Sequence, residues 1–226
     1  MSWDPAWERV FRENDWGKYP GEDLIRFVAR NFYRAQRRSE VKILEIGCGP
    51  GANLWYVARE GFQAFGVDGS PMALAQARRR LDAECPGWTG LVARGDMTSL
   101  PWRDGIFDAV IDNEAGCCNG YEASRTIYAE AARVLKPGGR IFVRTFAEGT
   151  WGEGTGRRLG PDAWQPTEGP MANTGCTRFT RREHLSDLLS PFVLEEVERI
   201  SRTLDAGRRA VVEWIAIGRL PGDAPA

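Results

Sequence analysis

From residue 41 onward, short apolar runs alternate with stretches in which apolar side chains recur every three or four positions. A short continuous or alternating run marks a strand and a period near 3.6 marks a helix, so the pattern predicts βαβ units around a parallel sheet. Strands are expected at 41–46, 63–68, 90–94, 106–112 and 140–146. The helices between them present Leu54, Val57 and Ala58, then Leu74, Ala77 and Leu81, then Ile127, Ala131, Val134 and Leu135 on their inner faces. Ser70-Pro71 caps the second of these, and Lys136-Pro137-Gly138-Gly139 stops the third. Two more strands, 192–201 and 209–217, join through a turn around Asp205-Ala206-Gly207 and must be antiparallel to each other. The predicted fold is α/β: an open twisted seven-stranded sheet, mostly parallel, with an antiparallel C-terminal hairpin and helices on both faces.

The flanks follow other rules. Asp4-Pro5 opens a helix carrying Trp7, Val10 and Phe11, and a second helix sets Ile25, Val28, Ala29 and Phe32 on one face, so 1–38 forms a helical cap. Residues 147–180 hold seven glycines and three prolines and read as a long loop or lid, the kind of segment that tends to be functional. Thr180-Arg181-Arg182-Glu183 has the spacing of a capping box for a short helix, and 219–226 is a tail. The expected organisation is one domain over 1–226: cap, core 41–146, glycine-rich insertion 147–180, and a closing helix and hairpin at 181–218.

Composition narrows the function classes. Thirty basic against 31 acidic residues among 226, with a net charge of −1, leave no global field to attract nucleic acid or anionic lipid. No apolar run approaches the ~18 residues of a membrane span and the N-terminus lacks a signal-peptide pattern, so a cytoplasmic protein without a membrane partner is expected. Five cysteines, Cys48, Cys85, Cys117, Cys118 and Cys176, have no C-x-x-C spacing and read as reduced thiols, with no metal knuckle. The Arg78-Arg79-Arg80 run reads as a solvated face.

The candidate chemistry begins where the first strand ends in Gly47-Cys48-Gly49-Pro50-Gly51 and a helix follows. Glycine there permits positive φ and removes the Cβ that would collide with a ligand. No Gly-Lys-Ser/Thr follows, which excludes a phosphate-gripping P-loop. Gly47-x-Gly49-x-x-Ala52 with Asp68 downstream also satisfies the relaxed dinucleotide fingerprint, so a nicotinamide dehydrogenase stays open at this point.

Further motifs carry a resemblance. Residues 41–51, Val-Lys-Ile-Leu-Glu-Ile-Gly-Cys-Gly-Pro-Gly, resemble the first motif of the class I S-adenosylmethionine-dependent methyltransferases, and Asp68, Asp96, Phe107-Asp108 and the 136–139 turn follow in that family's order. The resemblance covers 41–146 closely and implies a Rossmann-like fold with S-adenosylmethionine as cofactor. It implies that Asp68 accepts from the ribose hydroxyls, that Asp96 accepts from the adenine amine, and that Gly69 and Met97 flank the ring. Gly47, Cys48 and Gly49 would meet the methionine part, with Glu45 ordering the loop and the cofactor amine. Asp112 would complete this set after strand four. A non-catalytic cofactor-binding protein is the third reading.

In this family the shared core serves the cofactor and the surplus serves the acceptor. Methyl transfer neutralises a sulfonium in line, so alignment and water exclusion dominate, and a missing base does not argue against an enzyme. Asp112, Asn113 and Glu114 lie where relatives place methyl-proximal residues, and His184 is the one histidine. Asp112-Asn113-Glu114-Ala115 replaces the Asn-Pro-Pro-Tyr type motif of nucleic-acid base methylases. A metal bound by Asp112 and Glu114 would lack a clear third ligand, so none is expected. Tyr19 and Glu114 are the substrate candidates. Trp7 and Phe11 are expected in the core, while Trp3, Trp16, Tyr19, Trp151 and Trp164 are expected to cover the cleft. The predicted activity is methyl transfer to oxygen or nitrogen of a small, polar acceptor.

Overall fold

The computed structural model describes residues 3–14 and 17–222. The central sheet contains β1 (Lys42–Ile46), β2 (Gln63–Asp68), β3 (Gly90–Arg94), β4 (Phe107–Asn113), β5 (Leu135–Phe146), β9 (Val193–Leu204) and β10 (Arg209–Arg219), in the order β3-β2-β1-β4-β5-β10-β9. Strands β1 to β5 pair in parallel, and β10 is antiparallel to both β5 and β9. Six strands therefore run one way, and β10 alone is reversed.

Both faces of the sheet are covered, which is why its inner strands are apolar without alternation. Successive residues of β1 divide between the faces. Leu44 and Ile46 join Ile127, Ala131 and Val134 of α5 (Tyr121–Val134) and Leu185 and Leu188 of α6 (Arg182–Leu188). Ile43 packs with Leu24, Phe27 and Val28 of α2 (Glu22–Phe32), Leu54 and Val57 of α3 (Ala52–Arg59), and Leu74, Ala77 and Leu81 of α4 (Pro71–Glu84). On α2 the buried stripe is Leu24, Phe27 and Val28, whereas Ile25 is exposed. Phe27 decides that rotation by packing against Phe142 with ring centroids 5.4 Å apart.

Local signals acted as their chemistry requires in most places. The Ser70 hydroxyl accepts from the Ala73 amide at 3.1 Å, and the Asp4 carboxylate accepts from the Ala6 amide at 2.9 Å at the start of α1 (Ala6–Glu13). The 180–183 capping box does not form, because the Thr180 hydroxyl is taken by Arg178 Nε. Arg181 is the cap residue of α6, and its amide donates to Asp162 Oδ2 at 3.1 Å. Of the arginine run, Arg78 and Arg79 are exposed but Arg80 is held over Trp55, 4.6 Å from the ring centroid, and donates to the Lys18 carbonyl.

The insertion is more regular than a loop. It folds a three-stranded antiparallel sheet from β6 (Arg157–Gly160), β7 (Ala163–Gln165) and β8 (Thr177–Arg178). Met171 and Phe179 pack it on Cys117, Phe146 and Val211. Arg178 is completely buried and donates to the Asn119 carbonyl at 3.0 Å, the Gly116 carbonyl at 3.4 Å and the Ser124 hydroxyl. The insertion is thus fastened to the segment after β4.

Candidate functional site

The chain runs outward from β1 to β3 on one side and from β4 on the other, leaving a crevice beyond the C-terminal ends of β1 and β4, where open α/β sheets take ligands. A cavity of about 530 Å³ occupies that place. Its floor is Glu45 and the glycine loop 47–49, one wall is Asp68, Gly69, Asp96 and Met97, and the opposite wall is Asn113, Glu114, Ala115 and Arg144. Trp3, Trp7, Phe11 and Tyr19 from the N-terminal segment roof it.

The loop glycines divide their work. Gly47 has φ 62°, and a Cβ there would meet the Ala115 Cβ at 2.3 Å, so the loop can lie against the chain after β4 only with glycine. Gly49 has φ 50° and donates its amide to Asp68 Oδ2 at 2.9 Å. Gly51 does not line the cavity; a Cβ on it would meet Ala77 at 2.9 Å, so it serves the packing of α3 on α4.

Glu45 is buried, with Oε1 accepting from Asn53 Nδ2 at 2.6 Å, while Oε2 is buried without a partner. Burial pushes its carboxyl up to about 8. Such an orphaned buried acceptor is expensive unless a ligand donates to it. Asp68 Oδ1 accepts from the Ser70 amide at 2.8 Å; its pKa too is raised, by burial, while these amides oppose the shift. Each carboxylate oxygen retains a further lone pair. Asp96 Oδ1 accepts from the amide and hydroxyl of Thr98 at 2.9 and 2.7 Å. Met97 Sδ lies against Gly47. Cys48 lines the cavity with its thiol pushed up by burial. Gly69 is covered by the Trp3 ring, which a Cβ there would meet at 2.2 Å.

Asp112 departs from expectation. Fully buried, it accepts from the Ala115 and Gly116 amides, each at 3.0 Å, and from the Tyr128 hydroxyl at 2.8 Å. It does not line the cavity, and it builds the turn that presents Glu114. His184 is also elsewhere, bonded through Nδ1 to Asp162 and set edge-on to Tyr121. Trp151 and Trp164 do not line the cavity either: Trp151 stacks under Arg209, 3.9 Å from the ring centroid, and Trp164 packs on Phe179. Met171 is the insertion's contribution to the lining. Phe11 is buried as expected but lines the cavity together with Trp7, and Trp16 lies outside the described residues. Among the described residues no group of three or more His, Cys, Asp or Glu is placed to hold a metal, and the Cys117 and Cys118 thiols donate to the Glu114 carbonyl.

Several lining residues carry no local sequence signal: Asn53, Asn119, Arg144 and Arg202. Arg144 in β5 donates to both carboxylate oxygens of Glu213, Nε at 2.9 Å and Nη2 at 2.7 Å, and its Nε lies 3.3 Å from Glu114 Oε1. Such an array follows from strand neighbours, not from spacing along the chain.

Residues 43–139 match the model of a methyltransferase domain. That match lies on the glycine-loop core and supports a class I S-adenosylmethionine-dependent methyltransferase. Among curated proteins, a demethylmenaquinone methyltransferase of Tropheryma whipplei is 36% identical over 106 residues, covering 47% of this chain and 42% of that protein. The chain thus spans less than half the length of that methyltransferase. Among solved structures, one concerning the conversion of a disulfide bond into a thioacetal group during echinomycin biosynthesis superimposes with TM-score 0.71 at 18% identity, covering 97% of this chain and 92% of that one. A 1,6-didemethyltoxoflavin-N1-methyltransferase of Burkholderia thailandensis, bound to its substrate and S-adenosylhomocysteine, gives TM-score 0.63 at 17% identity over 88% of this chain and 79% of that chain. At such identities the likeness establishes the fold. The cofactor of the family is S-adenosylmethionine, and the dehydrogenase alternative gains no support. No helix among the described residues is long and apolar enough to cross a membrane.

Proposed function

We propose that this methyltransferase moves the methyl group of S-adenosylmethionine in line to an oxygen or nitrogen of a small, polar acceptor. The observation that carries the reading is the orphaned Glu45 Oε2 at the floor of the cavity, beside a glycine loop that lines it. A ligand with an ammonium group satisfies that oxygen, and the amino-acid end of the cofactor has one. Asp68 would receive the ribose hydroxyls on its remaining lone pairs, Asp96 the adenine amine, and the amides near Ala52 at the start of α3 the carboxylate. Gly69, Met97 and Trp3 would flank the adenine. When bound, the cofactor supplies the activated methyl; the protein supplies alignment and a dry cleft.

The acceptor belongs on the other wall, among Glu114, Asn119, Arg144 and Tyr19, where polar groups outnumber apolar ones. Curated relatives named as a demethylmenaquinone methyltransferase and a norajmaline N-methyltransferase support a small-molecule acceptor. Calorimetric titration with S-adenosylhomocysteine tests the reading. Micromolar binding is expected, weakened about tenfold or more in Asp68→Ala because the ribose hydroxyls lose a charged acceptor. Absence of binding by the wild-type protein at millimolar ligand would sink the proposal.

A further inference from the structure

Beyond the cofactor wall, a row of charged side chains crosses the C-terminal end of the sheet. Glu114 follows β4, Arg144 sits on β5, Glu213 on β10 and Arg202 on β9, one from each of four neighbouring strands. Glu213 is 1% exposed, and its two oxygens are held by the Arg144 fork, with Arg202 Nη2 at 3.5 Å. Arg144 is therefore anchored from the strand behind it and reaches Glu114 with one edge only, Nε to Oε1 at 3.3 Å. Glu114 lines the cavity.

Topology fixes which part of the cavity Glu114 faces. β4 pairs with β1 so that Ile46 lies beside Asp112, which brings the turn after β4 alongside the glycine loop. Ala115 abuts Gly47, and Glu114 is the adjoining residue, on the side away from Asp68. A cofactor held with its ribose at Asp68 and its amino-acid end over Glu45 would carry its sulfonium on the cavity side of the seam where Gly47 meets this turn.

Resting on the methyltransferase reading, we propose that Glu114 meets the acceptor's nucleophilic atom and takes its proton during methyl transfer, with Arg144 and Glu213 as positioning residues. A lone pair on acceptor oxygen or nitrogen forms the new bond to the methyl carbon, the carbon–sulfur bond breaks with its electron pair going to sulfur, and the acceptor proton passes to the Glu114 carboxylate and then to water. The acceptor is therefore a hydroxyl or an amine with an N–H, not a thioether or a fully substituted nitrogen. The groups facing Glu114 are Arg144 from β5, Glu213 from β10 and Arg202 from β9, with the Cys117 and Cys118 thiols on its carbonyl and Asp23 of α2 acting on Arg144. Burial, then a hydrogen bond shared with Glu213 and the repulsion of its charge, push the Glu114 carboxyl up to about 8, against the pull of Arg144 and Arg202, a value suited to receiving a proton near neutrality.

A binding experiment decides this without knowledge of the acceptor. Sinefungin carries an ammonium-bearing carbon where the cofactor has its methylsulfonium, and S-adenosylhomocysteine carries an uncharged thioether sulfur there. Both share the amino-acid and adenosine ends, so the ratio of their affinities isolates the reacting position. By calorimetry at pH 8 the wild-type protein should bind sinefungin about tenfold tighter than S-adenosylhomocysteine, and the ratio should shrink at pH 6.5 as Glu114 holds its proton. In buffers of different ionisation enthalpy, sinefungin should release more protons on binding at pH 7 than S-adenosylhomocysteine does. Glu114→Gln should bring the ratio near one at both pH values while S-adenosylhomocysteine affinity stays within about twofold; Glu114→Asp should retain part of the pH-dependent ratio. A wild-type ratio near one, or a ratio that Glu114→Gln leaves unchanged, overturns the proposal, as does loss of S-adenosylhomocysteine binding by a Glu114→Gln protein that still melts cooperatively. Failure of the wild type to bind S-adenosylhomocysteine overturns the methyltransferase reading instead.

Discussion

Gly47 concentrates two constraints on one residue: φ of 62° and 2.3 Å from its virtual Cβ to that of Ala115. An L residue there must strain the backbone and push the β4 turn away. Gly47→Ala is expected to destabilise the protein by about 1–3 kcal/mol and to abolish measurable S-adenosylhomocysteine binding, checked by chemical denaturation and calorimetry. Gly51→Ala is the informative contrast. Its Cβ would meet Ala77 on the far side from the cavity, so stability should fall while affinity survives in the folded fraction. The sequence displays both glycines in one motif; only their neighbours separate a ligand-facing position from a packing one. Asp112 teaches the same point, since its carboxylate was legible as a site candidate but two amides of its own turn and the Tyr128 hydroxyl of α5 engage it.

At the scale of elements, the roof and the insertion are what the pattern under-read. α1 is tied across the cleft by Glu8, which accepts from the Ser70 hydroxyl, and by Gln76 Nε2, which donates to the Phe11 carbonyl at 3.1 Å. Its apolar side faces the cavity, so Trp7 and Phe11 were legible as inward-facing but not as ligand-facing. The insertion's small sheet was illegible because its strands are only two to four residues long and its order comes from packing. Arg178 is the fastener, and removing its guanidinium takes the donor from the Asn119 carbonyl and from the Ser124 and Thr180 hydroxyls, while the Gly116 carbonyl keeps the Ser124 hydroxyl and the Asn119 amide. Arg178→Leu is expected to cost about 2–4 kcal/mol, from those unsatisfied acceptors, and to speed hydrogen exchange selectively over residues 114–121.

For the molecule as a whole, Glu45 and Glu114 link binding, stability and pH. Their carboxyls titrate near 8 in the folded protein and near the ordinary 4.5 when unfolded. Between those values the native state holds protons that the unfolded chain has released, so stability must fall as pH rises from about 5 to 8. Glu45, which is buried, contributes up to ~1.4 kcal/mol per pH unit, or about 3–6 °C in melting temperature for a chain of this size, and the part-exposed Glu114 contributes less. Differential scanning calorimetry should show that decline, and Glu45→Gln should flatten it. S-adenosylhomocysteine should flatten it too, because its ammonium favours the Glu45 carboxylate, and its own affinity should climb as pH rises toward 8.

The sequence alone determined the alternation of strands and helices, the antiparallel closing hairpin, the glycine loop and the acids at the ends of β2 and β3. These are local properties: periodicity, caps, turns and motif spacing depend on residues close together along the chain. Tertiary structure alone decided that Arg144, Arg202 and Glu213 join Glu114, that Asp112 and His184 stand outside the cavity, and that Trp3 covers Gly69. Those groups are up to 99 positions apart in the sequence, from Glu114 to Glu213, and only the inserted position of β10 between β5 and β9 brings them side by side. A sheet whose spatial order differs from its chain order builds its site from remote residues, and no pattern along the chain records which side chains will meet.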